Sequence, residues 1–128
     1  MIAKKRIGIW MDHSEANLID PESSKENETI VSKFTFGVKN EAAHKGEKLM
    51  HNKEQQMHEA FCKEIATKIL KYDHVLLFGP TNAKNELHNY LKKDLHFKDI
   101  KIEIESSDNM TNNEKNAFVL HHFEKIPN

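Results

Sequence analysis

The chain has 128 residues, 38% apolar and 30% charged, with a net charge of −1 at pH 7 and only 4 glycines. That length suffices for one domain, residues 1–128, with a real core. The near-neutral balance excludes a global attraction to nucleic acid or anionic membrane, so any such contact must come from a local patch. The N-terminal stretch MIAKKRIGIW lacks the apolar run of a secretory signal, and no stretch approaches the roughly 20 apolar residues needed to span a bilayer. Cys62 is the single cysteine and has no internal disulfide partner. These features predict a cytoplasmic protein without membrane contact.

Residues 5–12, KRIGIWMD, read as a strand, HSEA as a polar turn, and residues 16–20 as a second strand paired with the first as a hairpin. Residues 21–28 form a Pro- and Ser-marked loop. Residues 29–37 alternate Ile30, Ser32, Phe34 and Phe36 with Val31, Lys33 and Thr35, the period of a third strand. Residues 38–56 are polar. From residue 33 to residue 53 there are five Lys against two Glu, with His44 and His51, and Gly46 argues against one unbroken helix. From about Gln55 the spacing of Met57, Phe61, Ile65 and Ile69, flanked by Ala60, Ala66 and Leu70, predicts a helix.

Residues 73–79, DHVLLFG, form the continuous apolar run of a buried strand. Residues 81–93 read as a helix capped by Thr81 or Asn82, with Ala83, Leu87, Tyr90 and Leu91 facing inward. IKIEIE, residues 100–105, alternates strictly, as a strand with one polar face does. Thr111 and Glu114 have the spacing of a capping box, followed by an apolar stripe drawn from Ala117, Phe118 and residues 120–123. The order β-β-β-α-β-α-β-α predicts an α/β fold: a mixed five-stranded sheet flanked by helices, antiparallel early and parallel late.

The strand–glycine–helix junction at Gly79-Pro80 invites comparison with phosphate loops. It lacks the Gly-Lys-Ser/Thr ending and the further glycines of those motifs, and Pro80 removes a backbone donor. A turn that joins two packed elements is the stronger reading. No cofactor motif is present, so none is expected.

The segment FGPTNAKNELHNYL, the opening IGIWMDHSEANLI and the closing SSDNMTNNEKNAFVLHHF resemble the middle domain of the eukaryotic and archaeal peptide-release factors and of Pelota. They also resemble short stand-alone bacterial relatives of that domain, labelled as translational-machinery proteins. The resemblance covers nearly the whole chain. It implies an RNase H-like sheet of the release-factor middle-domain type and a ribosome or tRNA partner. In release factors, the loop before the long helix carries a Gly-Gly-Gln tripeptide that promotes peptidyl-tRNA hydrolysis. Here the matching residues 38–56 hold one glycine, Gly46, followed by Glu47, and Gln55-Gln56 have no glycines before them. The resemblance therefore implies ribosome association without that hydrolysis, as in Pelota-like proteins, and without the flanking domains that read codons and recruit partners.

The basic segment is the leading functional candidate. Lys39, His44, Lys45, Lys48 and Lys53 supply cations that neutralise phosphates and release counterions. The competing reading is a soluble loop. A non-enzymatic role follows more readily than catalysis. The alternative is a metal-dependent hydrolase or nuclease: Asp12 ends the first strand, where RNase H-like nucleases hold Mg²⁺, and Glu105 and Asp108 follow the last strand. Against it, Asp12-His13-Ser14-Glu15 is also an ordinary hairpin turn. His51, Glu54 and His58 would share a helix face with Glu47, a partial metal set that a single helix does not close. A solvated polar face explains them equally. His13 and His121-His122 have no sequence-evident partners and read as structural or solvated, and Cys62 and Met57 read as core. The edge or interior position of IKIEIE is left open.

Overall fold

The computed structural model describes residues 5–22, 27–32 and 47–124, the side chains of 47–54 excepted. Five strands form one sheet in the order β3-β2-β1-β4-β5. They are β1 (Arg6–Met11), β2 (Glu15–Ile19), β3 (Glu28–Val31), β4 (His74–Gly79) and β5 (Lys101–Ser106). The first three pair antiparallel, with Ile9 opposite Leu18 and Ala16 opposite Ile30. β4 lies parallel to both β1 and β5, with Gly8 opposite Leu76 and Leu76 opposite Glu103. The helices are α1 (Glu47–Ile69), α2 (Ala83–Lys92) and α3 (Asn112–Glu124), with a 3-10 turn at Leu95–Phe97. The mixed α/β sheet and the order of elements are those the sequence patterns predict.

Alternation along the strands sorts the core onto two faces. Ile7, Ile9, Met11, Leu18, Val75 and Leu77 pack under α1 and α2, against Phe61, Ile65, Ile69, Leu87 and Leu91. Trp10, Ile19, Leu76 and Phe78 face the other way, against Val119 and Phe123 of α3. β4 is buried along its whole length, which accounts for its unbroken apolar run. Gly8 lets α3 lie close: a Cβ there would drive into the Val119 side chain. At Gly79 the need is conformational as well. Its φ is +149°, and a Cβ would strike the Met11 carbonyl oxygen.

Several boundaries differ from expectation. α1 begins at Glu47, directly after Gly46, rather than near Gln55. Its first two turns carry no apolar stripe, so a core-periodicity criterion misses them. The third strand ends at Val31, and the remainder of the expected strand, residues 33–37, lies outside the described residues. In α3 the buried positions are Lys115, Val119 and Phe123, four apart, while Ala117 and Leu120 are exposed. A lysine stem thus occupies a core-facing position, with its charge accommodated by an aromatic face. Leu70, just past α1, is likewise exposed, and Met57 is only half-buried. Thr81 rather than Asn82 serves the start of α2, its Oγ1 accepting from the Ala83 N–H at 3.2 Å. The capping box of α3 forms as expected: Glu114 N–H donates to Thr111 Oγ1 and Thr111 N–H to Glu114 Oε1. β5 is an edge strand.

Candidate functional site at the carboxyl edge of the sheet

The carboxyl ends of the parallel strands gather the functional candidates at one rim. Beyond β1, the Asp12 Oδ1 accepts from the backbone N–H groups of Ser14 and Glu15 at 2.7 and 2.9 Å. This is the side-chain turn expected of an Asp at that position. Ser32 N–H then donates to the Ser14 carbonyl, so the chain leaves β3 beside the same turn. α1 finishes at the opposite end of the sheet, where Asp73 N–H donates to the Lys5 carbonyl just before β4. The helix therefore runs back along the sheet and begins beyond the rim.

Length fixes how far beyond. A 23-residue helix is about 34 Å long, against about 20 Å for a six-residue strand. His58 touches the rim, 3.6 Å from Glu86 Oε1 in the first turn of α2. The eleven residue steps from Glu47 to His58 then carry α1 roughly 16 Å past the sheet. The sequence-predicted Lys48, His51, Lys53 and Glu54 lie on this overhang. Lys39, His44 and Lys45 lie outside the described residues.

At the base of the overhang, His13 Nε2 is 2.9 Å from Glu86 Oε1, and the His58 and Cys62 side chains approach each other to 3.6 Å. Burial pushes the Cys62 thiol up to about 11, with the Glu86 and Glu59 charges adding to it. Cys62 is thus a protonated core thiol at neutral pH, as its sequence reading holds, and not a nucleophile. His13, read as partnerless, has Glu86 as its partner.

The carboxylates considered for metal hydrolysis do not converge. β4 separates β1 from β5, so Asp12 and Glu105 stand two strands apart, about 10 Å. Among the described residues, Asp12, Glu105 and Asp108 are absent from any group of three or more potential ligands.

A different group does converge, on the α3 face. His74 opens β4, Glu103 is central in β5 and His122 lies in the last turn of α3. Both imidazole Nε2 atoms approach the same oxygen, Glu103 Oε2, at 2.7 Å. Burial lowers the His74 pKa, outweighing the pull of Glu103. Burial opposes ionisation of Glu103 too, but hydrogen bonds and charge from His122 and His74 win and hold its carboxyl below the usual range. The polar face of IKIEIE is thus turned toward α3, and His122 is partnered rather than solvated. With separations of 29 and 19 residues, no motif spacing could have signalled this. Nearby, Lys115 Nζ donates to Asn17 Oδ1 at 2.6 Å and sits 3.6 Å above the Trp10 ring.

No protein-family model and no curated protein matches the chain. A crystal structure of Pelota from Archaeoglobus fulgidus is similar in fold, with a TM-score of 0.58 and 11% sequence identity over 95% of this chain. The match spans 32% of that longer protein. At this identity the likeness establishes a shared α/β architecture.

Proposed function

We propose that the chain is a translation-associated binding module that contacts ribosomal or transfer RNA through Lys39, His44, Lys45, Lys48 and Lys53. On this reading it acts in the cytoplasm as one RNase H-like domain of the release-factor middle-domain type, and does not hydrolyse peptidyl-tRNA. The observation that carries the reading is the overhang of α1. It projects lysine-bearing backbone past the sheet, continuous with a basic segment, in a fold similar to that of Pelota over 95% of the chain. Cations on a projecting helix meet phosphates without the desolvation that a groove imposes. The segment before α1 holds a single Gly46 and no Gly-Gly-Gln, which supports contact without hydrolysis.

Sedimentation of the purified chain with ribosomes, at low and moderate salt, tests the proposal. Co-sedimentation should weaken as salt rises. The Lys45→Glu/Lys48→Glu/Lys53→Glu variant should lose roughly tenfold or more in affinity and show a shallower salt dependence. Equal affinity of the variant and the wild type would reject the assignment.

A further inference from the structure

We propose that His74 Nε2, His122 Nε2 and Glu103 Oε2 form a binding site for a divalent transition-metal ion of the zinc class. The three ligand atoms lie within 4.8 Å of one another, and they come from three different elements of the fold. Two imidazoles and one carboxylate are the donor set of open zinc sites, in which solvent or a substrate completes the coordination. Imidazole donors favour Zn²⁺ and its transition-metal neighbours over Mg²⁺ or Ca²⁺, which prefer oxygen.

The geometry is close to what such an ion requires. Donors about 2.0–2.1 Å from a tetrahedral ion stand roughly 3.3 Å apart. The two 2.7 Å contacts would therefore widen by about half an ångström, within the reach of small side-chain rotations. The rings of His74 and His122 meet at 72°, without stacking, and both Nε2 atoms point at the same carboxylate oxygen. Phe123 packs edge-on against both rings, at 5.1 and 5.3 Å between centroids, and restricts their orientation. Beyond the three ligands, Glu105 Oε1 lies 4.0 Å from His122 Nδ1. At that distance it makes no hydrogen bond, but it is a carboxylate placed near the second ring nitrogen, where metal-binding histidines commonly have an outer partner. His74 is 6% exposed but Glu103 is 30% exposed, so solvent reaches one side of the site.

The cluster at the carboxyl edge lacks this convergence. His13 and His58 reach Glu86 Oε1 at 2.9 and 3.6 Å, and those residues form no comparable group. It serves as the internal control.

The test is a calorimetric titration of the metal-free full chain with Zn²⁺, repeated with Mg²⁺, under conditions where far-UV circular dichroism confirms the fold. The expected result is one tight equivalent of Zn²⁺ and no comparable Mg²⁺ binding. Glu103→Gln and His122→Asn should each weaken Zn²⁺ binding about a hundredfold, while the His13→Asn/His58→Asn double variant binds as the wild type does. Equal affinity for the two ions, or full affinity in folded Glu103→Gln and His122→Asn variants, overturns the proposal. A readout on the unaltered chain guards against variants that fail to fold. Zn²⁺ should move the ring-nitrogen resonances of His74 and His122, and movement of His13 and His58 instead overturns it.

Discussion

The two faces of the sheet are built differently. Among the described residues, seventeen buried residues form the core under α1 and α2, while six form the core under α3. Two helices on one side cover the sheet with apolar side chains, aliphatic and aromatic together. One 13-residue helix cannot cover the other, and the remaining area is filled by Lys115 on Trp10, Asn17, and the His74–Glu103–His122 group. Lys115, Asn17, His74, Glu103 and His122 on this second face each have a partner, because a half-buried donor or acceptor without one costs free energy, whereas the buried Trp10 indole N–H has no hydrogen-bond partner among the described residues. The contrast teaches that specificity and any ligand chemistry in this fold concentrate where helical cover is thinnest.

The largest expected effect probes the apolar face. Leu77 is fully buried in β4, within the core under α1 and α2. Leu77→Ala should lower unfolding stability by about 3 kcal/mol, from lost transfer energy and an unfilled cavity. Urea denaturation measures it. A loss below about 1 kcal/mol would mean that this face repacks freely and that the contrast between the faces is overstated.

On the α3 face the expected loss is smaller and of another kind. Glu103→Ala removes the common acceptor of two imidazoles, one of them almost wholly buried. With a chelator present, so that no ion contributes, the cost should be about 2 kcal/mol. Glu103→Gln, which keeps an acceptor oxygen, should recover part of it. If alanine and glutamine cost the same, shape rather than hydrogen bonding holds α3 to the strands.

The apolar face also carries an alkaline liability. Burial raises the Cys62 thiol to about 11 from 9.0. Burial, with help from the bond to Asp20, raises Tyr72 to about 12 from 10.0, and its hydroxyl donates to Asp20 Oδ2 at 2.8 Å. Both groups keep their protons longer in the folded chain than in the unfolded one. The folded state therefore binds more protons from about pH 9 upward, and stability falls as pH rises through that window. By about pH 10.5 the loss from Cys62 should be about 1–2 kcal/mol, and Cys62→Ala should flatten the profile. A flat wild-type profile to that pH would show that the thiol is less enclosed than its packing implies.

How far these features were legible depends on whether they follow a period. The element order follows from local patterns: alternation over residues 29–37, of which the described strand includes 29–31, the apolar run of β4, and the fourfold spacing of Phe61, Ile65 and Ile69. The start of α1 does not, because a helix that overhangs its sheet has no core to imprint an apolar stripe on residues 47–54. In α3 the apolar stripe was misassigned because Lys115 behaves as a core residue only in the presence of Trp10, 105 residues earlier in the chain. The basic segment is visible as composition, whereas the position of Lys48 and Lys53 on a helix that overhangs the sheet is a property of topology. The His74–Glu103–His122 group was invisible for the same reason as Lys115: each member looks ordinary in its own element, and only the parallel register of β4 and β5, with α3 laid across them, brings the three together.

The smallest effect is expected at the rim, where the first face opens to solvent. Glu86 joins α2 to the β1–β2 turn and to α1 through His13 and His58, with contacts of 2.9 and 3.6 Å. Two imidazoles approach it, as they do Glu103, but the second stands beyond hydrogen-bond distance and the surroundings are wetter: the His13 side chain is 51% exposed, against 6% for His74. Water screens the pairing and competes for every hydrogen bond, so Glu86→Ala should cost no more than about 0.5 kcal/mol. Measured beside Glu103→Ala under the same conditions, the pair isolates enclosure as the variable, since each substitution removes one carboxylate shared by two imidazoles. A loss at Glu86 equal to that at Glu103 would mean that the rim is as well enclosed as the α3 face. The base of α1 would then be a fixed mount for the overhang rather than a solvated contact. On the proposed RNA-binding reading, the affinity of the Glu86→Ala chain would fall with its stability in that case, and should otherwise match the wild type.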